Sequence, residues 1–522
     1  MRPAAAVLLA LAVLLSSAAA GAQDAIPLKS VTDPTFGVPA LVPESWTALG
    51  RGIYARVPNA ADSVLIAVQS APIKADQLWK SLLPQLGLTA VPDPIGTRDT
   101  DGATWTLYQV DVKASAGTLR VDLATTEIDG TTYLVLAQSP VDGADVIHDQ
   151  VFLPAVDALA PLAHEPTADP ATLPYDNLDV TFPGGAEDVT LAGTLSVPRT
   201  AGPHPAIVLF TGSGAQDRDE SLRPVAAIKP FALLADAFAR AGVAVLRYDD
   251  RGTARSTGDY ATARLADLTA DAKAALDYLR TRPEVDPDKV GVLGHSEGGI
   301  YVASLIAAGE PMAFAVGMAP PATNGVDLMV AQNGAVVRSS GSPEAEAQLA
   351  EAFARKLYEA MLAGDTDAAT AMARDYFGGY YDRQTPELQA AMGDRTAFID
   401  AQVASQVGTL DSPWFLDLLR SDAGIGWAKA TMPVLGVFGG KDIQVVATQN
   451  APLMQAAITS SDPASEVVTL PDANHLFQQA VTGGLAEYGT LPQTFTPDFL
   501  PLVVGWVAEQ VGLPAPGASA AP

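Results

Sequence analysis

Ser296 lies in Gly294-His295-Ser296-Glu297-Gly298, directly after the apolar run 290–293 and directly before the small-residue stretch 299–308. A strand that turns sharply into a helix forces its central residue into a strained conformation. Glycines two before and two after, Gly294 and Gly298, leave room for that turn. The turn lifts the serine hydroxyl clear of the sheet, and the helix that follows aims its first amides at charge developing on a substrate oxygen. A bare G-x-S-x-G arises by chance in long chains. The strand before it and the helix after it are what make Ser296 a candidate nucleophile.

A serine nucleophile needs a base, and histidine is the usual one. The chain has five histidines. His148 and His164 precede the succession of apolar strands and helices, His204 lies just before its strand at the sheet end away from the site, and His295 adjoins Ser296 and is expected to point elsewhere. His475 remains, in the loop after the last apolar run, where ligands collect in an open parallel sheet. The imidazole in turn needs a carboxylate to fix its tautomer. Asp442 ends the segment 433–442 and is delivered by a buried strand through a glycine-rich turn to the same sheet edge. Asp472, three residues before His475, would need an unusual loop to reach the far ring nitrogen.

For the oxyanion, the amide of Glu297 is the expected first donor because it opens the helix. The second is expected from Thr211-Gly212-Ser213-Gly214, with Ser213 first and Gly212 next. Asp249, Asp250 and Arg251 read as a structural network in which Arg251 pairs with a carboxylate and holds that loop.

The elements that must position these residues follow from the rest of the chain. Residues 1–22 have a positive start, an apolar stretch at 4–15 and small residues to an A-x-A site, the three parts of a secretory signal. Cleavage is expected after Ala22, giving an exported protein, periplasmic or extracellular. The apolar stretch is short for a bilayer span of about 20 residues, so no stable membrane insertion is expected after cleavage. There is no cysteine, which excludes disulfides and a thiol nucleophile. Lys plus Arg number 31 against 59 Asp plus Glu, a formal charge of -28 that would repel nucleic acid and anionic lipid.

At 522 residues two domains are the prior. Residues 23–163 read as a small α+β domain, with strands at 52–57, 63–70, 104–112, 118–126 and 132–138 and helices at 75–86 and 144–159. Residues 164–174 read as a linker. From there, short apolar runs at 206–210, 243–246, 290–293, 313–318, 434–438 and 467–470 alternate with helical patterns at 227–241, 263–279 and 299–308. That alternation predicts a mostly parallel sheet covered on both faces. Between 320 and 429 the rhythm stops, and helices at 343–363, 365–377, 386–407 and 414–419 read as a cap over the strand ends. Its aromatics Phe377, Tyr380, Tyr381, Trp414 and Phe415 either line an acyl pocket or pack as core. Residues 513–522 read as a tail with nothing to bury.

The chain order Ser296, Asp442, His475 on this framework resembles the α/β-hydrolase superfamily. The run Thr211 to Glu220 looks like the oxyanion loop of its bacterial esterases, and Arg247 to Gly258 is similar to the stretch after the next strand in those enzymes and in serine aminopeptidase-like hydrolases. The resemblance covers about residues 175–512, with Ala215 where many relatives have proline. It implies an α/β-hydrolase fold and a Ser-His-Asp hydrolase with no metal or organic cofactor. The expected function is cleavage of a small-molecule carboxylic ester or other acyl substrate through an acyl-enzyme. A peptidase or thioesterase would use the same triad, and a binding protein on an inactive hydrolase scaffold is the alternative from another class.

Overall fold

The structure, a computed structural model, describes residues 26–514 except 33–38, 51, 57–63, 72, 101–102, 115–116, 129–130, 160–171, 222–225, 227 and 411. The expected signal with its cleavage position, most of the expected linker and the tail from residue 515 lie outside the described residues.

Leu28–Thr32 (β1) and Pro39–Pro43 (β2) form an antiparallel pair. Beyond them stands a seven-stranded antiparallel sheet of Thr47–Gly50 (β3), Ile53–Ala55 (β4), Leu65–Ala71 (β5), Gly96–Thr100 (β6), Ala103–Ala114 (β7), Gly117–Ile128 (β8) and Thr131–Pro140 (β9), in the order β3-β4-β5-β9-β8-β7-β6. Side chains alternate between its faces with a period of two. Leu134 and Leu136 of β9 pack with Leu78, Trp79 and Leu82 of the helix Ala75–Leu82 (α1). Their neighbours Tyr133, Val135 and Ala137 pack on the other face with Val151, Phe152 and Val156. That second cover is Ala144–Ile147 (α2), one π turn, and Leu153–Ala158 (α3). The central strands β5 and β9 are therefore covered on both sides, while the edge strand β6 is largely exposed.

The second sheet has eight strands, Tyr175–Pro183 (β10), Thr190–Pro198 (β11), His204–Phe210 (β12), Ala244–Tyr248 (β13), Val285–His295 (β14), Ala315–Met318 (β15), Val434–Gly439 (β16) and Glu466–Leu470 (β17). Their order is β10-β11-β13-β12-β14-β15-β16-β17, and β11 alone runs against the others. Every residue of β12, β13, β15 and β16 is buried, as a parallel sheet with helices on both faces requires. This is the α/β-hydrolase fold. The polar alternation of β10 and the short turn to β11 gave no apolar run, so sequence periodicity missed that antiparallel edge.

Pro230–Arg240 (α4), Leu265–Arg280 (α5) and Gly298–Ala308 (α6) cover the sheet. The helix expected from 227 starts at Pro230, where the fixed φ of proline suits a first turn. The cap holds Gly325–Ser339 (α7), Glu344–Leu362 (α8), Thr366–Asp382 (α9), Pro386–Met392 (α10), Arg395–Leu410 (α11), Pro413–Arg420 (α12) and Ala423–Trp427 (α13). Asn324, Asp365 and Ser412 cap α7, α9 and α12 by accepting from the amides of Asp327, Ala368 and Phe415. The single helix predicted over 386–407 is two, broken at Gly393, whose φ is 80°. Ala447–Ala457 (α14) and Phe499–Gln510 (α15) complete the second layer. A hydrogen bond from the Gln77 side chain of α1 to Gly252 O links the two parts of the chain beside the end of β13.

Candidate active site

The elbow between β14 and α6 holds Ser296 at φ 51°, in the left-handed region that disfavours any residue with a side chain. Ser296 N–H donates to Met318 O at 2.9 Å, tying the turn to the end of β15. A Cβ on Gly294 would lie 2.2 Å from Gly298 O, and one on Gly298 would lie 2.3 Å from Phe210 O. Both glycines are therefore forced by backbone contact across the turn and against the neighbouring strand.

His475 and Asp442 meet at the same edge. Register sets Gly294 beside Gly317, Gly317 beside Gly436, and Gly439 beside Leu470, so β14, β15, β16 and β17 end together. His475 Nδ1 is 2.7 Å from Asp442 Oδ2. Asp442 Oδ1 accepts from the amides of Gln444 (2.7 Å) and Val445 (3.0 Å), so both oxygens of this buried carboxylate have partners. The glycines before Asp442 have a steric reason: a Cβ on Gly439 would lie 2.5 Å from the carbonyl oxygens of Ala473 and Asn474, and one on Gly440 would lie 2.5 Å from Pro471 O. The His475 loop is itself braced by Asn474, whose Oδ1 accepts from the amides of Leu476 and Gln478. Asp472 accepts from Ala480 N–H at its backbone carbonyl, 2.8 Å away.

The loop after β12 is fastened by two buried carboxylates. Asp250 accepts from Thr211 Oγ1 (2.8 Å) and from Gln216 N–H (2.9 Å). Asp249 accepts from the Arg218 amide and guanidinium at 2.7 to 3.0 Å. Burial holds the Asp250 carboxyl well above the usual carboxylate range, and the charges of Glu297 and Asp271 push the same way. The expectation that Arg251 holds this loop is thus corrected: Arg251 pairs with Asp271 of α5 at 2.6 Å, and Asp271 accepts from Gly185 N–H. Asp250 and Arg251 lie past the end of β13, in the turn that follows it, and their side chains go to different partners.

Gly212 lies against the elbow, its would-be Cβ 3.3 Å from Ser296 Cβ. Its amide, however, donates to Glu220 Oε1 at 2.9 Å. Of the two loop positions predicted to supply an oxyanion donor, Gly212 is thereby committed elsewhere and Ser213 is not the residue so bound.

Two side chains that sequence reasoning passed over complete the surroundings. His295, set aside because it neighbours Ser296, is buried with Nδ1 2.6 Å from Glu220 Oε1 and Nε2 3.0 Å from His475 O. Glu297, named for its amide alone, accepts at Oε1 from Tyr301 OH and from Trp414 Nε1 (2.9 Å) of α12. Burial raises its carboxyl to about 7, with those two hydrogen bonds pulling the other way. Trp414 therefore ties the cap to the elbow, and a bidentate pair between Arg264, ahead of α5, and Asp417 of α12 makes a second tie. Phe415 is core, packed edge-on to Tyr358, and Phe377 packs among Ala373, Ile399 and Val403.

The family model of the X-Pro dipeptidyl-peptidases (S15 family) matches residues 185–456, more than half of the chain. The chain belongs to the S15 family. The match to this hydrolase family spans Ser296 and Asp442 and ends before His475. The S15 chain is also 32% identical over 148 residues to Esterase EstD of Thermotoga maritima, covering 28% of this chain and 33% of that protein. It thus spans about a third of the length of that curated relative. Solved structures similar to it include the Pyrococcus furiosus esterase Pf2001 (13% identity, TM-score 0.39, 66% of this chain and 97% of that one). Another is acetyl xylan esterase 1 from Thermoanaerobacterium sp. (17% identity, TM-score 0.34, 65% of this chain and 84% of that one).

Proposed function

We propose that this S15-family chain is a serine hydrolase that cleaves carboxylic esters through an acyl-enzyme. The observation that carries the reading is a serine at φ 51° at the end of β14, with a buried His475–Asp442 pair at 2.7 Å at the ends of the strands two and three places along the sheet. Asp442 takes Nδ1, so Nε2 is the ring nitrogen left to receive the Ser296 proton. Ser296 Oγ attacks the carbonyl carbon, His475 takes the hydroxyl proton, and Asp442 stabilises the imidazolium. The tetrahedral oxyanion is held by the amides of Glu297 and Ser213, which are fixed in place before reaction and so need no reorganisation. Collapse returns the proton to the departing alcohol. Water then repeats the sequence on the acyl-Ser296 ester, freeing the acid and the serine. Identity to Esterase EstD supports an ester as the substrate class.

The family match favours a second reading, release of an X-Pro dipeptide by the same attack on an amide. A panel of p-nitrophenyl esters against Xaa-Pro p-nitroanilides distinguishes them. The ester reading expects turnover of the esters at least tenfold above the anilides in kcat/KM once each is corrected for its uncatalysed rate. Preference for the anilides by that margin would replace it with the peptidase reading.

A further inference from the structure

Glu220 and His295 lie outside the triad, yet they touch all three of the segments that must meet for it to work. Glu220 belongs to the loop after β12, His295 ends β14 immediately before the nucleophile, and His475 carries the base. One carboxylate oxygen, Glu220 Oε1, accepts from Gly212 N–H at 2.9 Å and faces His295 Nδ1 at 2.6 Å. The opposite ring nitrogen, His295 Nε2, is 3.0 Å from His475 O. A carbonyl oxygen only accepts, so Nε2 carries a proton. Glu220 Oε1 already receives an amide hydrogen, which favours a carboxylate there and places the second proton on Nδ1. The ring is then an imidazolium donating at both ends. Beside an ionised Glu220, a neutral imidazole with its one N–H could donate only one of the two bonds.

The pair is costly to keep, which points to a role. Both side chains are almost wholly buried, and taking an ion pair out of water costs several kcal/mol per ion before its attraction is counted. Glu220 also stands at φ 56°, a conformation that glycine would adopt without strain. Burial presses the His295 imidazolium toward losing its proton, but the charge and hydrogen bond of Glu220, the His475 carbonyl and the charge of Asp442 together leave its pKa raised. The rings of His295 and His475 are 4.8 Å apart, so any shift of one is felt by the other.

Resting on the triad reading above, we propose that Glu220 and His295 act as one positioning pair that locks the oxyanion loop, through Gly212, and the His475 loop onto the nucleophile elbow. Neither residue touches the reacting atoms. Their contribution is that the Ser213 amide and the His475 ring hold their places relative to Ser296, and displacement by about 1 Å can cost about a hundredfold in rate.

The test uses the full chain, E220Q, H295N and the double variant, with kcat expressed per active site titrated by a fluorophosphonate. Asn at 295 retains a donor toward Glu220 but cannot reach His475 O, and Gln at 220 keeps the acceptor for Gly212 while removing the charge. Each single variant is expected to lower kcat by about 10- to 100-fold with KM within about threefold, and the double variant to fall no further than the worse single one. In the downfield proton spectrum the wild type is expected to show two ring N–H resonances that H295N removes together. Values of kcat per titrated site within about threefold of wild type in both single variants, losses in the double variant that multiply, or a single His295 ring N–H would each overturn the pair. Absence of labelling and turnover in the wild type itself would instead overturn the serine-hydrolase reading, which is scored before any variant is compared.

Discussion

Replacing Glu297 by Gln should change how stability depends on pH, by an amount that follows from the burial of one carboxyl. Glu297 Oε1 is satisfied by Trp414 and Tyr301, while Oε2 is buried with no hydrogen-bond partner among the described residues. Charge at this site is opposed by burial, and the carboxyl is raised from the ordinary 4.5 to about 7. Below pH 4.5 the group is protonated in both the native and the unfolded chain and contributes nothing to pH dependence. Between 4.5 and about 7 the native chain keeps the proton that the unfolded chain has released, so stability falls as pH rises. Above about 7 both states are ionised and the loss is complete. At about 1.4 kcal/mol per pH unit, a gap of about 2.5 units amounts to about 3 kcal/mol. Gln retains the acceptor oxygen and never ionises, so E297Q should lie near wild type at pH 4.5 and be more stable by about 3 kcal/mol at pH 8. Urea denaturation of both proteins across that range gives the difference directly, and every other titrating group that the substitution does not touch cancels. A difference that stays constant to within about 0.5 kcal/mol, the precision of such extrapolations, would refute the reasoning. It would mean that Glu297 is ionised and solvated across the range, and that the tie to Trp414 is not a buried one.

Two further substitutions test the elbow and the base. G294A puts a methyl 2.2 Å from Gly298 O, a backbone atom that cannot yield, and should cost about 3 kcal/mol or more in thermal or urea unfolding. G309A, at φ 76° with nothing within 4 Å, should cost only about 1 kcal/mol. D442N keeps an oxygen for the Gln444 and Val445 amides and should fold normally, yet lower kcat about 10⁴-fold because the amide cannot hold the imidazolium. Steady-state kinetics with circular dichroism on the same samples separates lost catalysis from lost structure.

What could be read from the chain was what local geometry dictates. A turn that admits only glycine at two positions marks Ser296 in five residues, and apolar runs ending in polar loops bring Asp442 and His475 to the edge where β14, β16 and β17 stop. Capping residues were no sure guide to the cap helices: Asp365 and Ser412 precede expected ones, but Asn324 caps α7, which apolar periodicity does not mark, and α8 is legible with no side-chain cap; Gly393 inside 386–407 is the sign of a break. The Glu220–His295 contact was not legible, because the partners are 75 residues apart and no periodicity relates them. Adjacency to Ser296 led to His295 being set aside, although the alternation of a strand that turns one residue away from the hydroxyl is what sends it into the layer beneath. Arg251 illustrates the same limit: a strand end places three charges in a row, but only the packing of α5 decides that Asp271 takes the arginine.

The central claim, that Ser296 is a nucleophile activated by its neighbours, is tested most directly by intact and peptide-level mass spectrometry after treatment with a fluorophosphonate. A single adduct is expected on wild-type protein, carried by the peptide containing Ser296, and none on S296A. An adduct on another residue, equal labelling of S296A, or a folded wild-type chain that takes up no probe would contradict it.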